Sequence, residues 1–194
     1  SFIRSTLLFP YVAPVVALAF TWELLLDPNS GTLNNLLLNY NIIDKPINLL
    51  GQKYVSIFVF GFEFKLRLAL TTVIIFEIWR YFPLAFLFIL ARLQAVPKEL
   101  YEAADIDGAG PYTKFMNITL PQITAVISIL FMIRFIWNFN KFEDIFLLTG
   151  GASGTRTLPI NVYEQGFSIG DIGMGSAVSM VIVLLLLFFM LIYF

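Results

Sequence analysis

The sequence predicts an all-α, polytopic transmembrane helical bundle, and both its composition and the placement of its charges indicate this class. Of 194 residues, 59% are hydrophobic and only 13% are charged, which is about half the charged share of a soluble domain. So few charges could not cover a soluble surface without large apolar patches. Histidine and cysteine are absent, which removes the commonest catalytic base and thiolate metal ligands. The net charge of -1 gives no sign of nucleic-acid binding.

Four stretches have the length that a bilayer core requires, roughly 20 residues. Together they hold only four of the 25 charged side chains, as expected where an uncompensated charge in hydrocarbon costs about 3 kcal/mol. Pro10 and Pro14 interrupt the first stretch, which membrane helices tolerate when neighbouring groups satisfy the freed carbonyls. We expect spanning helices over 7–26, 68–90, 123–139 and 172–194.

The connection 27–67 is too long for a tight turn and contains alternating residues between Tyr54 and Lys65. In this pattern Phe58, Phe60, Phe62 and Phe64 lie on one side. Such alternation predicts a short strand or hairpin outside the membrane. An irregular amphipathic loop resting on the membrane interface is the alternative.

The connection 91–122 predicts a compact helix–turn–helix. Pro97 suits the first turn of a helix over 97–107, because its missing N–H costs nothing there. Residues 108–111, Gly-Ala-Gly-Pro, then break the helix. A second short helix is expected over 111–118, and Leu120-Pro121 is expected to redirect the chain into the third span.

The residues of this connection carry a specific resemblance. Glu102-Ala103-Ala104, then Gly108, Ile118 and Leu120-Pro121 are spaced as in the EAA signature, so the chain resembles the permease subunits of ATP-binding-cassette importers. The resemblance implies that the loop is cytoplasmic and docks on an ATP-hydrolysing subunit, and that connections 27–67 and 140–171 lie outside. An ordinary cytoplasmic helix at the interface is the alternative. The expected coupling residues are Glu102, Ala103, Ala104, Asp107, Gly108, Ile118, Leu120 and Pro121.

Further segments resemble the binding-protein-dependent sugar permeases of the maltose and glycerol-3-phosphate type, in particular the MalF-like subunit. They are Trp22 with Pro28, Trp79 with Phe82-Pro83, and an outer loop containing Thr149, Gly150 and Gly151. The resemblance implies a single permease domain over 1–194 that holds the last four of six spans.

The same resemblance implies the partners and the location. It implies a multi-pass protein of a prokaryotic plasma membrane that pairs with a second permease subunit as a heterodimer. Two ATP-binding subunits and an extracytoplasmic solute-binding protein complete the assembly. The chain has no glycine-rich phosphate loop, so ATP and Mg²⁺ are expected on the partner ATPase, with no cofactor and no enzymatic activity on this chain.

Two spans contain ionisable groups at helical spacing. In the second span, the apolar side chains contribute about -6 kcal/mol to the free energy of membrane insertion. Glu77 and Arg80 oppose insertion by about +5 to +7 kcal/mol. These two groups must therefore pair with each other, face a wet cavity, or both. The resemblance places the sugar contacts on the same two helices, and an ion pair that only fixes helix register is the alternative. The expected substrate path is Glu77, Arg80, Tyr81, Leu84, Arg134, Asn138 and Lys141.

The transported solute stays open at this stage. Several path residues are charged where a neutral sugar would favour amides, so an acidic or phosphorylated sugar derivative is conceivable, and amino-acid and polyamine permeases also carry EAA loops. An ion-coupled secondary transporter would need an inverted repeat, which the four spans do not show. A membrane enzyme would need a carboxylate pair, but Glu23 and Glu77 lie in different spans.

Overall fold

The computed structural model describes residues 2–59 and 62–193, which contain ten α-helices, two π-helical segments and one β-hairpin. The first part of the chain contains α1 Phe2–Val12, α2 Val15–Leu26, α3 Thr32–Asn39, β1 Val55–Val59, β2 Phe62–Leu66 and α4 Leu68–Gln94. The middle part contains α5 Lys98–Ile106, α6 Pro111–Lys114, a π-helical segment Phe115–Thr119 and α7 Leu120–Phe139. The last part contains α8 Glu143–Thr149, α9 Leu158–Tyr163, a second π-helical segment Glu164–Ile169 and α10 Ile172–Tyr193.

Within the described residues, three helices are long and apolar enough to cross a membrane, which confirms the predicted helical class. They are Leu68–Gln94, Pro111–Phe139 and Ile172–Tyr193. The first of them begins where predicted and continues four residues beyond the expected end at 90. The last begins at the predicted residue, and its expected final residue, Phe194, lies outside the described residues.

The first predicted span is two helices rather than one interrupted helix. Pro10 is accommodated inside α1, but the chain leaves the helix at Ala13-Pro14 before α2 begins. The physical reason is that Pro14 disfavours helical backbone at the residue before it. The two helices have 11 and 12 residues, so either alone is shorter than the roughly 20 residues of a span, and only the broken pair together could cross.

The third spanning helix starts earlier than predicted, because the expected redirection at Leu120-Pro121 does not occur. The chain is helical from Pro111 to Phe139. Pro121 has no N–H to donate and its ring crowds the carbonyl four residues earlier, that of Asn117. Asn117 lies in the π-helical segment, whose wider turn replaces the regular helical hydrogen bonding at this point.

The predicted β-hairpin is present, but the prediction that all four phenylalanines share one face is wrong. β1 and β2 are antiparallel, with Phe58 paired to Glu63 and Ile57 paired to Phe64. Paired residues occupy the same face, so position 58 lies in the row of Ser56, Glu63 and Lys65 and not in that of Phe64. Two residues join the strands, so the even-numbered positions of β1 share a face with the odd-numbered positions of β2. Of the four predicted phenylalanines, Phe60 lies outside the described residues.

The chain forms two compact units. Within the described residues, the loop unit comprises 2–11 and 80–137, and the hairpin unit comprises 12–79 and 138–193. The hairpin unit contains a hydrophobic core built from α2, α4, α8 and α9. Its buried members are Leu18, Ala19, Val73, Phe76, Ile145, Leu148 and Ile160.

The connection after α2 is held by a short carboxylate turn and a buried amide. Asp27 Oδ1 accepts hydrogen bonds from the N–H groups of Asn29 and Ser30 and from the Ser30 hydroxyl. The bonds from Ser30, followed by that from Asn29, hold the pKa of Asp27 below its usual value. Asn34 is 1% exposed and exchanges two 3.0 Å hydrogen bonds with the backbone of Ile47. These contacts give the long connection a fixed path.

Candidate functional site

The loop with the EAA signature is a helix followed by a glycine turn. α5 follows Pro97, whose φ of -59° suits the entry to the helix. Glu99 lies in its first turn, where the helix dipole favours negative charge. The helix ends at Ile106 with Asp107 as its C-cap, and Gly108 has a φ of +70°. A residue with a Cβ is strained in that left-handed conformation, which explains why the signature has glycine at this position.

Side-chain contacts close this loop within the loop unit. The Tyr101 hydroxyl lies 2.9 Å from Thr119 Oγ1, and Lys114 forms an ion pair with Asp105. Near the end of α4, Arg92 Nε donates to the Gln122 carbonyl of α7 at 3.0 Å. The two ends of the loop are therefore tied to each other, and the loop is a defined knob.

The signature residues divide by exposure. Glu102, Ala103 and Asp107 are exposed beside the exposed turn at Gly108, and Pro121 is exposed at the start of α7. Ala104, Ile118 and Leu120 are half-buried. Apart from Pro121, the exposed signature residues are polar or small.

Two apolar side chains flank the glycine turn and face solvent. Ile106 is 87% exposed and Tyr112 is 73% exposed. Ile106 is the last residue of α5, and Tyr112 lies in α6, at the start of the helix Pro111–Phe139. Neither side chain is covered by the rest of the chain, so both are accessible to a partner protein.

Two of the predicted path residues meet in the hairpin unit. Lys141 Nζ lies 3.3 Å from Glu77 Oε1 and also forms an ion pair with Asp144. The side chains of Lys141 and Glu77 are 14% and 16% exposed, and that of Asp144 is fully buried. Removing one partner of such a buried pair typically costs about 3–5 kcal/mol.

Three predicted path residues meet in the loop unit. The guanidinium carbon of Arg134 lies 3.8 Å from the centroid of the Tyr81 ring, and that of Arg80 lies 5.2 Å from it. Cation–π attraction acts within about 6 Å, so both contacts are within range. Tyr11 of α1 contacts the same ring edge-on, with the centroids 6.1 Å apart.

The remaining two predicted path residues lie on α4 and α7. Leu84 is half-buried on α4, in the loop unit. Asn138 is exposed in the last turn of α7, in the hairpin unit, and its carbonyl accepts the N–H of Lys141 at 3.2 Å.

The predicted outer-loop residues form a tight turn at the end of α8. Gly150 and Gly151 have φ values of +59° and +79°, which favour glycine. Thr149 Oγ1 lies 2.6 Å from Thr155 Oγ1 and accepts the N–H of Gly151. A Cβ on Gly151 would lie 2.8 Å from Ile160 Cγ2. Each of the three residues thus has a structural role in this turn.

Sequence reasoning missed two contributors, Asp144 and Tyr11. The spacing of Lys141 and Asp144, three residues apart at the start of a helix, was a signal that could have identified the pair. Tyr11 gave no signal, since its contact with Tyr81 joins residues that are remote in sequence. Among the described residues, no group of three or more acidic side chains is arranged to hold a metal ion.

The family model for the inner membrane component of binding-protein-dependent transport systems matches residues 1–194. This match confirms the resemblance predicted from the EAA signature.

Curated relatives agree with the family match. The trehalose/maltose transport system permease protein MalF of Thermococcus litoralis is 33% identical over 192 residues, 98% of this chain and 60% of that protein. The inner membrane ABC transporter permease protein YcjO of Escherichia coli is 34% identical over 94% of this chain and 57% of that protein. The sn-glycerol-3-phosphate transport system permease protein UgpA of Yersinia pestis is 34% identical over 95% and 58%. The chain thus spans about 60% of the length of the relatives it matches.

Solved structures show the same fold. A chain of a bacterial ABC transporter involved in the import of the acidic polysaccharide alginate superposes with a TM-score of 0.73 at 19% identity, over 98% of this chain and 64% of that chain. A chain of the alginate transporter in complex with an alginate pentasaccharide-bound periplasmic protein gives a TM-score of 0.74 at 21% identity, over 98% and 62%.

Proposed function

Because this chain belongs to the family of inner membrane components of binding-protein-dependent transport systems, we propose that it forms part of the transmembrane pathway of an ATP-driven carbohydrate importer. It moves the solute, and ATP hydrolysis with its Mg²⁺ takes place on partner subunits. A second permease subunit completes the pathway, and an extracytoplasmic binding protein delivers the solute. The location is the plasma membrane of a prokaryote.

The observation that carries the proposal is the exposed apolar pair beside the EAA turn. Ile106 and Tyr112 are 87% and 73% exposed on a loop that is otherwise tied into a defined knob. A rigid knob with an apolar tip and an acidic signature residue, Glu102, fits a groove on an ATPase subunit. In this arrangement the loop transmits the ATPase movement to α4 and α7, which it directly connects.

The carbohydrate assignment has two supports. The relatives at 33–34% identity include permeases named for trehalose, maltose and sn-glycerol-3-phosphate transport. The proposed path residues also supply suitable groups, since carboxylates, guanidinium groups and amides all hydrogen-bond to sugar hydroxyls. Glu77, Arg80, Tyr81, Leu84, Arg134, Asn138 and Lys141 are proposed to line the path.

Co-purification tests the coupling role. Tagged full-length permease is expressed with its partner subunits, and the co-purified ATPase subunit is quantified. Ile106→Ser and Glu102→Ala are expected to reduce recovery of the ATPase about tenfold or more, as for central interface residues worth over 1.4 kcal/mol. Glu99→Ala is the matched control, because Glu99 is exposed on the same helix but lies outside the signature. Full ATPase recovery with both test variants would contradict the proposal.

The solute class is tested on the cognate binding protein. Its melting temperature is measured with maltose, trehalose, sn-glycerol 3-phosphate, an amino-acid mixture and spermidine. A rise with a sugar or a sugar phosphate is expected, since a ligand that binds only the folded state stabilises it. A rise with amino acids or spermidine alone would replace the carbohydrate assignment and leave the importer assignment in place.

A further inference from the structure

We propose that Asp144 is a positioning residue of the transport path, which fixes the ammonium group of Lys141 against the carboxylate of Glu77. The proposal rests on the proposed function only in treating Lys141 and Glu77 as path residues. Asp144 lies outside the residues predicted from the sequence.

The first step is the geometry of the three side chains, which all belong to the hairpin unit. Lys141 forms ion pairs with both carboxylates, at 3.3 Å to Glu77 Oε1 and in direct contact with Asp144. The two carboxylates come from different elements, α4 and α8. Lys141 therefore bridges a spanning helix to the helix that follows α7.

The second step is that Asp144 is the fixed member. Its side chain is fully buried, and the next residue, Ile145, and Leu148 one turn later belong to the hydrophobic core with Phe76. α8 cannot shift without opening that core. Lysine, by contrast, carries its charge on a flexible four-carbon stem, so the position of the ammonium group is set by the aspartate.

The third step is the role of the Lys141 ammonium group in the path. An ammonium group has three donors, and carboxylates hold Lys141 on two sides. Lys141 therefore acts as an internal cation that orients Glu77. Asp144 has no exposed surface, so it does not itself contact the solute, and it contributes by holding Lys141 in place.

The test measures the chemical reactivity of the Lys141 amine in the assembled transporter, with no solute present. Membranes containing full-length permease and its partner subunits are treated with the membrane-permeant acetylating reagent N-acetoxysuccinimide. The acetylated fraction at Lys141 is measured by mass spectrometry and normalised to exposed Lys45. Asp144→Asn keeps the side-chain volume and removes the charge, and Asp144→Glu restores the charge. Glu143→Gln removes the neighbouring exposed carboxylate in the same helical turn.

We expect D144N to raise Lys141 acetylation about tenfold, since loss of an adjacent carboxylate changes the deprotonated fraction of an amine by at least one factor of ten. D144E should return acetylation most of the way to wild type, and E143Q should leave it unchanged. Recovery of the wild-type acetylation level in D144E would show that the carboxylate charge of residue 144 matters and not its packing alone. Equal acetylation in wild type and D144N, whether high or undetectable, would overturn the proposal, as would a D144E result like that of D144N.

A second variant keeps the test decisive if D144N does not assemble with its partners. Glu77→Gln leaves Asp144 in direct contact with the ammonium group, so Lys141 acetylation is expected to rise by clearly less than tenfold. A tenfold rise in E77Q would mean that Glu77 holds the lysine, and would overturn the proposal. Because the reagent reports on the lysine and not on uptake, the result is independent of which solute the protein carries.

Discussion

The two regions 91–122 and 140–171 are built from similar elements but differ in where their apolar side chains lie. Each contains a short helix with proline in its first turn, followed by a π-helical segment. In 91–122, apolar residues such as Ile106 face solvent. In 140–171, Ile145, Leu148 and Ile160 are buried in the core of the hairpin unit.

The difference concerns what the apolar residues stabilise. In 140–171 they hold the connection onto its own chain, so this region has a fixed shape before any partner binds. In 91–122 the knob is tied mainly by polar contacts at its base, such as the Tyr101–Thr119 hydrogen bond, and its apolar tip remains available. Substitutions of apolar residues in 91–122 should therefore change partner binding, and those in 140–171 should change stability.

The largest expected effect comes from truncating an apolar residue in each connection. Ile160→Ala removes a side chain with 0% exposure and should lower the free energy of unfolding by about 2–5 kcal/mol. Ile106→Ala should change it by less than about 0.5 kcal/mol, because that side chain is exposed. Thermal unfolding of the purified permease, followed by tryptophan fluorescence, measures both. Equal losses of unfolding free energy in the two variants would contradict the proposed difference between 91–122 and 140–171.

A smaller effect should distinguish two left-handed glycines. Gly108→Ala introduces a Cβ with nothing within 4 Å, so only the backbone strain of about 1–2 kcal/mol applies. Gly151→Ala carries the same strain and also places a Cβ 2.8 Å from Ile160 Cγ2, which adds about 1–3 kcal/mol of overpacking. The same unfolding assay should rank G151A as less stable than G108A. The reverse order would show that the 140–171 turn can relax.

The smallest expected effect extends the comparison to the connection 27–67. The pKa of Asp27 is lowered from 3.8 by hydrogen bonds from Ser30 and Asn29, so the folded state favours its ionised form. Its contribution to stability is present above the unfolded pKa and is lost as the pH falls through the lower folded value. Asp27→Asn should therefore be less stable than wild type between about pH 5 and 8, with the difference vanishing in acid.

The control for this prediction is Asp44→Asn, which removes a charge from an exposed position of the same connection. A stability difference between D27N and wild type that persisted unchanged into strong acid would contradict the titration of Asp27 as its cause.

Local sequence patterns predicted the parts of the fold that depend on local physics. Long apolar runs located α4 and α10, and the spacing from Glu102 to Pro121 located the EAA knob, because both signals lie within contiguous sequence. The break at Ala13-Pro14 was misjudged, since a proline kink and a proline break have the same local pattern. The parity of the β-hairpin was misjudged because it depends on the length of the turn.

The contacts of the candidate path could be predicted only in part. The ionisable residues of α4 and α7 were evident, because charge is rare in apolar helices. Their partners were not, since the contacts of Lys141 with Glu77 and of Tyr11 with Tyr81 join residues about 64 and 70 positions apart in the sequence. Tertiary packing decides such contacts, and periodicity carries no information about them.

The π-helical segment Phe115–Thr119 has a consequence for the azimuth of the helix that follows it. An i→i+5 turn holds one residue more than a regular helical turn, and each residue of an α-helix advances the side-chain direction by about 100°. The extra residue therefore sets the rotational phase of α7 relative to α6, and with it the direction in which Arg134 projects. Within the loop unit, a single residue of chain length thus decides which side of a spanning helix presents its charge.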